Sequence, residues 1–410
     1  MAKILPFKAL RPAAELAQKV ASRPYDVLSS KEAKTEAQGN SYSFLHVTKS
    51  EIGLPENAGI YNREVYDKAK QNLDAFIQRK ILFTESKPCY YLYQLTMHGR
   101  SQTGLVCGSS VDDYENGIIK KHEFTRPEKE EDRINHIKIT GAQTGNVFLA
   151  YKDVEAIDNL LNQWKKDRNP VYNFTADDGI QHTVWVINDS STISNITSLF
   201  AEKVPFTYIA DGHHRAASAA KVRALSGAKA DEEADYFLTT LFPAAQLQIM
   251  DYNRLVKDIN HLSVNEFLEK VGNDFEIENA GQNEVKPSAL HQFGMYIDKN
   301  WYLLTAKEST FSDDPAGVLD VTILQTNILS KILGINDPRT DTRIDFVGGI
   351  KGLSELAKKV DDGEMAVAFS LFPVSIEQLF NIADSGNVMP PKSTWFEPKL
   401  RDGLLTHLIG

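Results

Sequence analysis

Five successive residues, Asp211-Gly212-His213-His214-Arg215, carry the densest set of reactive side chains in this chain. They follow the apolar run Val204-Pro205-Phe206-Thr207-Tyr208-Ile209-Ala210 and lead into Ala216-Ala217-Ser218-Ala219-Ala220. That order predicts a strand, a tight turn and a helix start. A helix start presents unpaired backbone N–H groups and the positive end of a dipole. A glycine lets the backbone approach a ligand closely. With two imidazoles and a guanidinium added, the turn is expected to be an electropositive cup for a phosphate or a similar anion. Backbone N–H groups of the turn and Arg215 would hold phosphate oxygens. One histidine would donate to the transferring group, and Asp211 would cap the helix, hold Mg2+ or accept a proton. The plainer alternative is a solvated helix start with Asp211 as its cap.

Three further clusters could contribute chemistry. Lys121-His122-Glu123-Phe124-Thr125 offers a histidine for substrate and a carboxylate for acid–base work. It lacks the second histidine of a zinc-protease helix, because Arg126 stands there. Met389-Pro390-Pro391-Lys392-Ser393-Thr394 places a lysine and two hydroxyls behind two rigid prolines, a combination able to clamp a phosphate. Pro24-Tyr25-Asp26-Val27 puts Asp26, a candidate base or metal ligand, in a constrained turn. Each has a structural alternative: a strand end, a stiff docking segment or a turn cap.

The elements that must position these groups follow from spacing. Apolar residues recur with helical period over 64–82. A tyrosine-rich strand over 89–97 turns at Gly99-Arg100-Ser101 into a second strand over 103–107. Thr125-Arg126-Pro127-Glu128 has capping-box form and opens a helix that ends near 138. A helix over 154–166 lies between strands at 146–151 and 183–187. A β-rich stretch over 236–250 is broken at Pro243. Ser263-Val264-Asn265-Glu266 and Ser375-Ile376-Glu377-Gln378 are two more capping boxes. Residues up to about 290 then read as polar and irregular. Short strands follow near 295–297 and 301–304, and an apolar helix over 318–333. The alternation predicts an α/β or mixed α+β fold with a mixed sheet. Two parts are expected, a core over 1–260 with an N-terminal elaboration and a C-terminal α/β part over 261–410 whose tail returns to the site.

Composition bounds the partners. A chain of 410 residues with 42% hydrophobic content can bury a sizeable core. Net charge of -10 argues against a nucleic-acid partner. Two cysteines, Cys89 and Cys107, exclude a disulfide scaffold and read as buried thiols. No secretory leader and no apolar run of spanning length is visible, so no membrane partner and a cytoplasmic location are expected. Neither a dinucleotide fingerprint nor a P-loop occurs.

Pro24–Val27, Lys121–Glu123 with Thr125, Asp132-Arg133, Ala210–Arg215 and Met389–Thr394 occur in the order seen in a bacterial family, and Leu319–Val321, Phe396–Leu400 and Gly403-Leu404 also fit it. The chain resembles domain of unknown function 1015 over nearly its full length. The Asp-Gly-His-His-Arg segment also resembles the nucleotide-phosphate motif of the ParB/sulfiredoxin superfamily, which includes free-serine kinases. That second resemblance implies a ParB/sulfiredoxin-like nucleotide-binding core with flanking helices. It also implies that Gly212, His213, His214 and Arg215 face the phosphates of ATP, ADP or CTP. His213 stands where a sulfiredoxin needs cysteine, and no DNA-binding helix-turn-helix is evident. Where the family shows a Pro-Thr-His-Arg-type segment, this chain has Asp251-Tyr252-Asn253-Arg254-Leu255, keeping Arg254 without the histidine.

These readings converge on ATP- or ADP-dependent phosphoryl transfer, with Mg2+, to a small hydroxyl metabolite such as serine. Asp211, His213, His214, Glu123 and Asp26 are the candidate catalytic residues. Lys392, Ser393 and Thr394 would join Gly212, His213, His214 and Arg215 on the nucleotide. His122 and Arg254 would hold substrate. A nucleotide-binding regulatory protein without turnover and a phosphate-ester hydrolase are the alternatives.

Overall fold

The computed structural model describes residues 1–55, 59–226 and 232–409. The fold is mixed α+β. Two compact units form: one from Met1–Lys120, Thr125–Leu247 and Pro398–Gly410, the other from Lys121–Phe124 and Gln248–Glu397.

The first unit is built on a nine-stranded sheet. Its strand order is Ile119–Lys120, Thr207–Asp211, Val147–Tyr151, Tyr236–Pro243, Arg100–Ser110, Tyr90–Met97, Gln181–Ile187 and Tyr172–Thr175, with Ile4–Leu5 also pairing to Arg100–Ser110. The sheet is mixed: Thr207–Asp211 runs parallel to Ile119–Lys120, and Tyr236–Pro243 parallel to Val147–Tyr151. The central hairpin turns at His98 and Gly99, both with positive φ (50° and 78°), and Met97 faces Arg100. This corrects the expected turn at Gly99–Ser101. Positive φ at both central residues is the signature of a two-residue type I′ hairpin, so Arg100 already lies in the strand.

Helices Glu155–Asp167, Ser190–Lys203 and His213–Ser226 pack Ile157, Leu161, Ile196, Phe200, Ala216 and Ala219 into the core formed with Leu92, Leu149, Ile209 and Leu241. The small side chains Ala216–Ala220 let helix His213–Ser226 come close to its neighbours. Ser218 Oγ, for example, donates to the Glu130 carbonyl at 3.1 Å. Helix Ser190–Lys203 was not expected, because its Ser-, Thr- and Ile-rich sequence has low helix propensity. The Asp189 carboxylate initiates it by accepting from the Thr192 N–H at 2.8 Å. Helix Pro127–Thr140 starts one residue later than its capping-box reading. Arg126 is the cap position with no side-chain cap bond, and the Thr125 hydroxyl donates to Glu130 instead.

The second unit is a six-stranded antiparallel sheet in the order Phe275–Gly281, Asn300–Ala306, Gln292–Ile297, Val367–Leu371, Tyr252–Val256, Ile344–Gly348. Both further capping boxes form, Ser263 with Glu266 and Ser375 with Gln378. Strand Phe275–Gly281 lies in the stretch read as irregular. It is an edge strand with only Phe275 fully buried, so its apolar signal is thin. The apolar run 318–333 becomes a short α-helix, Asp320–Leu324, continued by the π-turn Gln325–Ser330. Among the described residues no helix is long and apolar enough to cross a membrane.

Candidate functional site

On the first unit, strand Thr207–Asp211 ends at Gly212, where φ is +97°. Only glycine takes this conformation without strain. A Cβ there would also lie 3.0 Å from Nε and Cζ of Arg215, because that side chain folds back over the turn. The Ala216 N–H donates to the Gly212 carbonyl at 3.0 Å, which makes Gly212 the cap position of helix His213–Ser226. Asp211, expected to cap, is the last strand residue. Its carboxylate pairs with Lys399 Nζ at 2.9 Å and with Arg215 at 3.6 Å.

Arg215 is the hub. Its side chain is 10% exposed, and Nη2 lies 3.5 Å from Asp26 Oδ2. Nη1 donates to the Asn146 carbonyl, while the buried Nε–H has no hydrogen-bond partner among the described residues. Burial alone would lower the guanidinium pKa; Asp26, Asp211, Tyr25 and Asp402 together raise it. The turn is therefore a network of alternating charges and not a simply positive cup.

Asp26 sits on the short 3-10 turn Tyr25–Val27, and its side chain is 35% exposed. Tyr25 lies under Arg133, whose guanidinium carbon is 3.9 Å from the ring centroid. Arg133 pairs with Asp132 at 2.7 Å, and Tyr66 OH donates to Asp132 at 3.1 Å. The tail supplies a third carboxylate, the buried Asp402. Its backbone exchanges hydrogen bonds with Ser22 (3.1 and 2.9 Å), next to the Asp26 turn. Burial pushes its carboxyl up to about 8; Arg215 and Arg133 act in the opposite direction and Asp26 reinforces burial.

His213 is buried and His214 half-buried. The Arg126 N–H donates to His214 Nε2 at 2.9 Å, so in the neutral ring the proton lies on Nδ1, which can donate. Behind Arg215 a cavity of about 30 Å³ is lined by Tyr25, Arg133, His136, Gln143, Thr144 and Gly145 among others. It has room for roughly one or two waters, far below the several hundred Å³ of a ligand pocket. The network opens to solvent at the exposed Asp26 and the half-buried Asp211.

The remaining candidates belong to the second unit. His122 is buried, and its carbonyl accepts from the Met389 N–H at 2.8 Å. Glu123 is half-buried. Lys392 is exposed, with φ +59° and Nζ 5.8 Å from the Tyr252 ring centroid. Ser393 is buried and donates to the Pro390 carbonyl at 2.5 Å; Thr394 is half-buried. Arg254 is 3% exposed and donates to the carbonyls of Lys392 (2.9 Å), Pro391 (3.4 Å) and Tyr252.

Thus Asp26, Asp211, Gly212, His213, His214 and Arg215 gather on one unit. Arg254 meets Lys392–Thr394 on the other, where His122 meets Met389. Sequence reasoning named no role for Lys399, Asp402, Arg133 or Tyr25. The charge at 399, inside the segment that resembles the family's closing motif, and the charge at 402, just before its Gly403-Leu404, were the available signal.

Fold and site define a mixed α+β protein with a charged strand–glycine–helix turn on the strand next to one edge of its larger sheet. The chain belongs to the family described as "Protein of unknown function (DUF1015)", which matches residues 4–322. No curated protein sequence matches it. Similar solved structures include a free serine kinase in complex with AMP (13% identity, 73% of this chain and 91% of that one, TM-score 0.37). SbnI from Staphylococcus aureus, with a C-terminal truncation, is another (11%, 72% and 85%, TM-score 0.39). A conserved hypothetical protein from Pyrococcus furiosus is a third (15%, 74% and 94%, TM-score 0.37). At these values the likenesses carry no functional argument.

Proposed function

We propose that the Gly212 turn binds the phosphates of ATP or ADP and that the protein transfers a phosphoryl group to a small hydroxyl compound, a hydroxy amino acid such as serine. The observation that supports this most is Arg215. It is nine-tenths buried, folded over a left-handed glycine at a helix start, with an unused Nε–H and two partly exposed carboxylates beside it. Backbone N–H groups of the first helical turn and Arg215 would hold phosphate oxygens. His214, with its Nδ1 proton, would donate to charge that develops on the transferring group.

Asp26 is the more exposed of the two carboxylates and is anchored by Arg215, so it is the group assigned to take the hydroxyl proton. The acceptor oxygen attacks phosphorus, the bridging P–O bond breaks, and its electron pair leaves with the nucleotide. Asp211 offers the hard oxygen donors that suit Mg2+, which would supply neutralisation of phosphate charge.

The test is direct. The full chain is mixed with ATP or ADP, Mg2+ and L-serine, and products are read by mass spectrometry. A phosphorylated hydroxy amino acid is expected, with turnover reduced by about a hundredfold or more in Asp26→Asn. Absence of any phosphorylated product, together with absence of nucleotide-dependent thermal stabilisation, overturns the reading. Stabilisation without product would identify a nucleotide-binding regulatory protein instead.

A further inference from the structure

Arg254 lies on strand Tyr252–Val256, which is paired on both sides, to Ile344–Gly348 and to Val367–Leu371. The register sets it opposite Phe346 and Phe369. Its guanidinium is buried, 4.9 Å from the Phe346 ring centroid and 5.9 Å from that of Tyr252. Buried charges are normally matched by an opposite charge. Here, among the described residues, the hydrogen-bond partners are three carbonyl oxygens and no carboxylate. Burial lowers its pKa to about 10, with only Tyr252 acting against it. The neighbouring Asp251 is engaged elsewhere: its carboxylate accepts from Asn253 Nδ2 at 2.6 Å.

Those carbonyl bonds do specific work on the chain. Two of them fasten the successive carbonyls of Pro391 and Lys392. Ser393 Oγ ties down Pro390, the residue before them. Lys392 is held at φ +59°, a region that residues with a Cβ seldom occupy and that persists only where the surroundings enforce it. The result is a rigid strap whose exposed lysine projects beside Tyr252 while a second positive charge lies beneath it.

We propose that this strap is an oxyanion site of the second unit, in which Lys392 touches a phosphate-type anion and Arg254 is the positioning residue that holds the strap and lends it charge. The choice of phosphate rests on the phosphoryl-transfer reading; the site itself does not.

Inorganic phosphate is the probe, with acetate at equal ionic strength as the carboxylate arm. Calorimetric titration of the full-length Arg215→Ala variant isolates the strap from the Gly212 turn. Saturable phosphate binding is expected there, weakened about tenfold or more by adding Lys392→Ala, in line with loss of a charged hydrogen bond. Arg254→Met is expected to weaken phosphate binding similarly, and Arg254→Lys to recover part of it. Equal affinity with and without Lys392→Ala overturns the site, and acetate binding as tightly as phosphate overturns its class. Arg254→Met that changes only the unliganded Tm overturns the positioning role. Should Arg215→Ala not fold, Lys392→Ala in the otherwise wild-type chain serves instead: loss of one of two phosphate-binding events is expected, and an unchanged two-site isotherm overturns the site. Absence of serine phosphorylation would leave this result untouched, so the two readings fail separately.

Discussion

Arg215 and Arg254 are both buried arginines, yet their surroundings are opposite in kind. Arg215 lies among Asp26, Asp211 and Asp402, which raise its pKa against the effect of burial. Arg254 lies among carbonyls and aromatic rings, and burial lowers its pKa to about 10. The first is charge-compensated by the protein itself, and a ligand must compete for it or share it with the carboxylates. The second acts as a fastener for a strained strap and leaves positive charge for a ligand to satisfy. A guanidinium in a motif therefore says little until its counter-charges are located.

Truncation sharpens the contrast. Arg215→Ala removes the buried partner shared by the partly exposed Asp26 and Asp211, together with its bond to the Asn146 carbonyl, and is expected to cost about 3 kcal/mol or more in a urea titration. Arg254→Met removes a charge that has no carboxylate to orphan and strands only carbonyls, so about 1–3 kcal/mol is expected. The reverse order of these two variants would break the comparison.

Stability should also carry the signature of Asp402. Its folded pKa of about 8 lies above the ordinary value near 4, so the folded state binds the extra proton between them. Stability is then expected to fall as pH rises from roughly 4 to 8, by at most about 1.4 kcal/mol per pH unit from this group. Asp402→Asn should flatten that slope in pH-dependent thermal melts. The smallest effect is expected from Lys399→Ala. It removes a partly exposed pair with Asp211 that Arg215 backs up, and about 1 kcal/mol or less is expected by the same urea titration.

Much of the scaffold was legible because its signals are local. Strand Thr207–Asp211, the Gly212 turn and helix His213–Ser226 follow from an apolar run, a glycine and an alanine-rich stretch. The capping boxes at Ser263 and Ser375 are four-residue patterns and form as read. Helix Ser190–Lys203 escaped because tertiary packing of Ile196 and Phe200 overrides its poor propensity. The charge network was only half visible. Asp211 and Lys399 meet across 188 residues of sequence, and the Ser22–Asp402 bridge joins the two ends of the chain. No local pattern encodes such pairings. For that reason the turn read as purely positive, while the folded protein lines it with carboxylates.

The most direct test of the central claim is calorimetric titration of ATP or ADP, with Mg2+, into the wild-type protein and Arg215→Ala. Saturable binding by the wild type that is lost or weakened about tenfold or more in the variant is the predicted result. No binding by the wild type, or equal affinity in both, would contradict it.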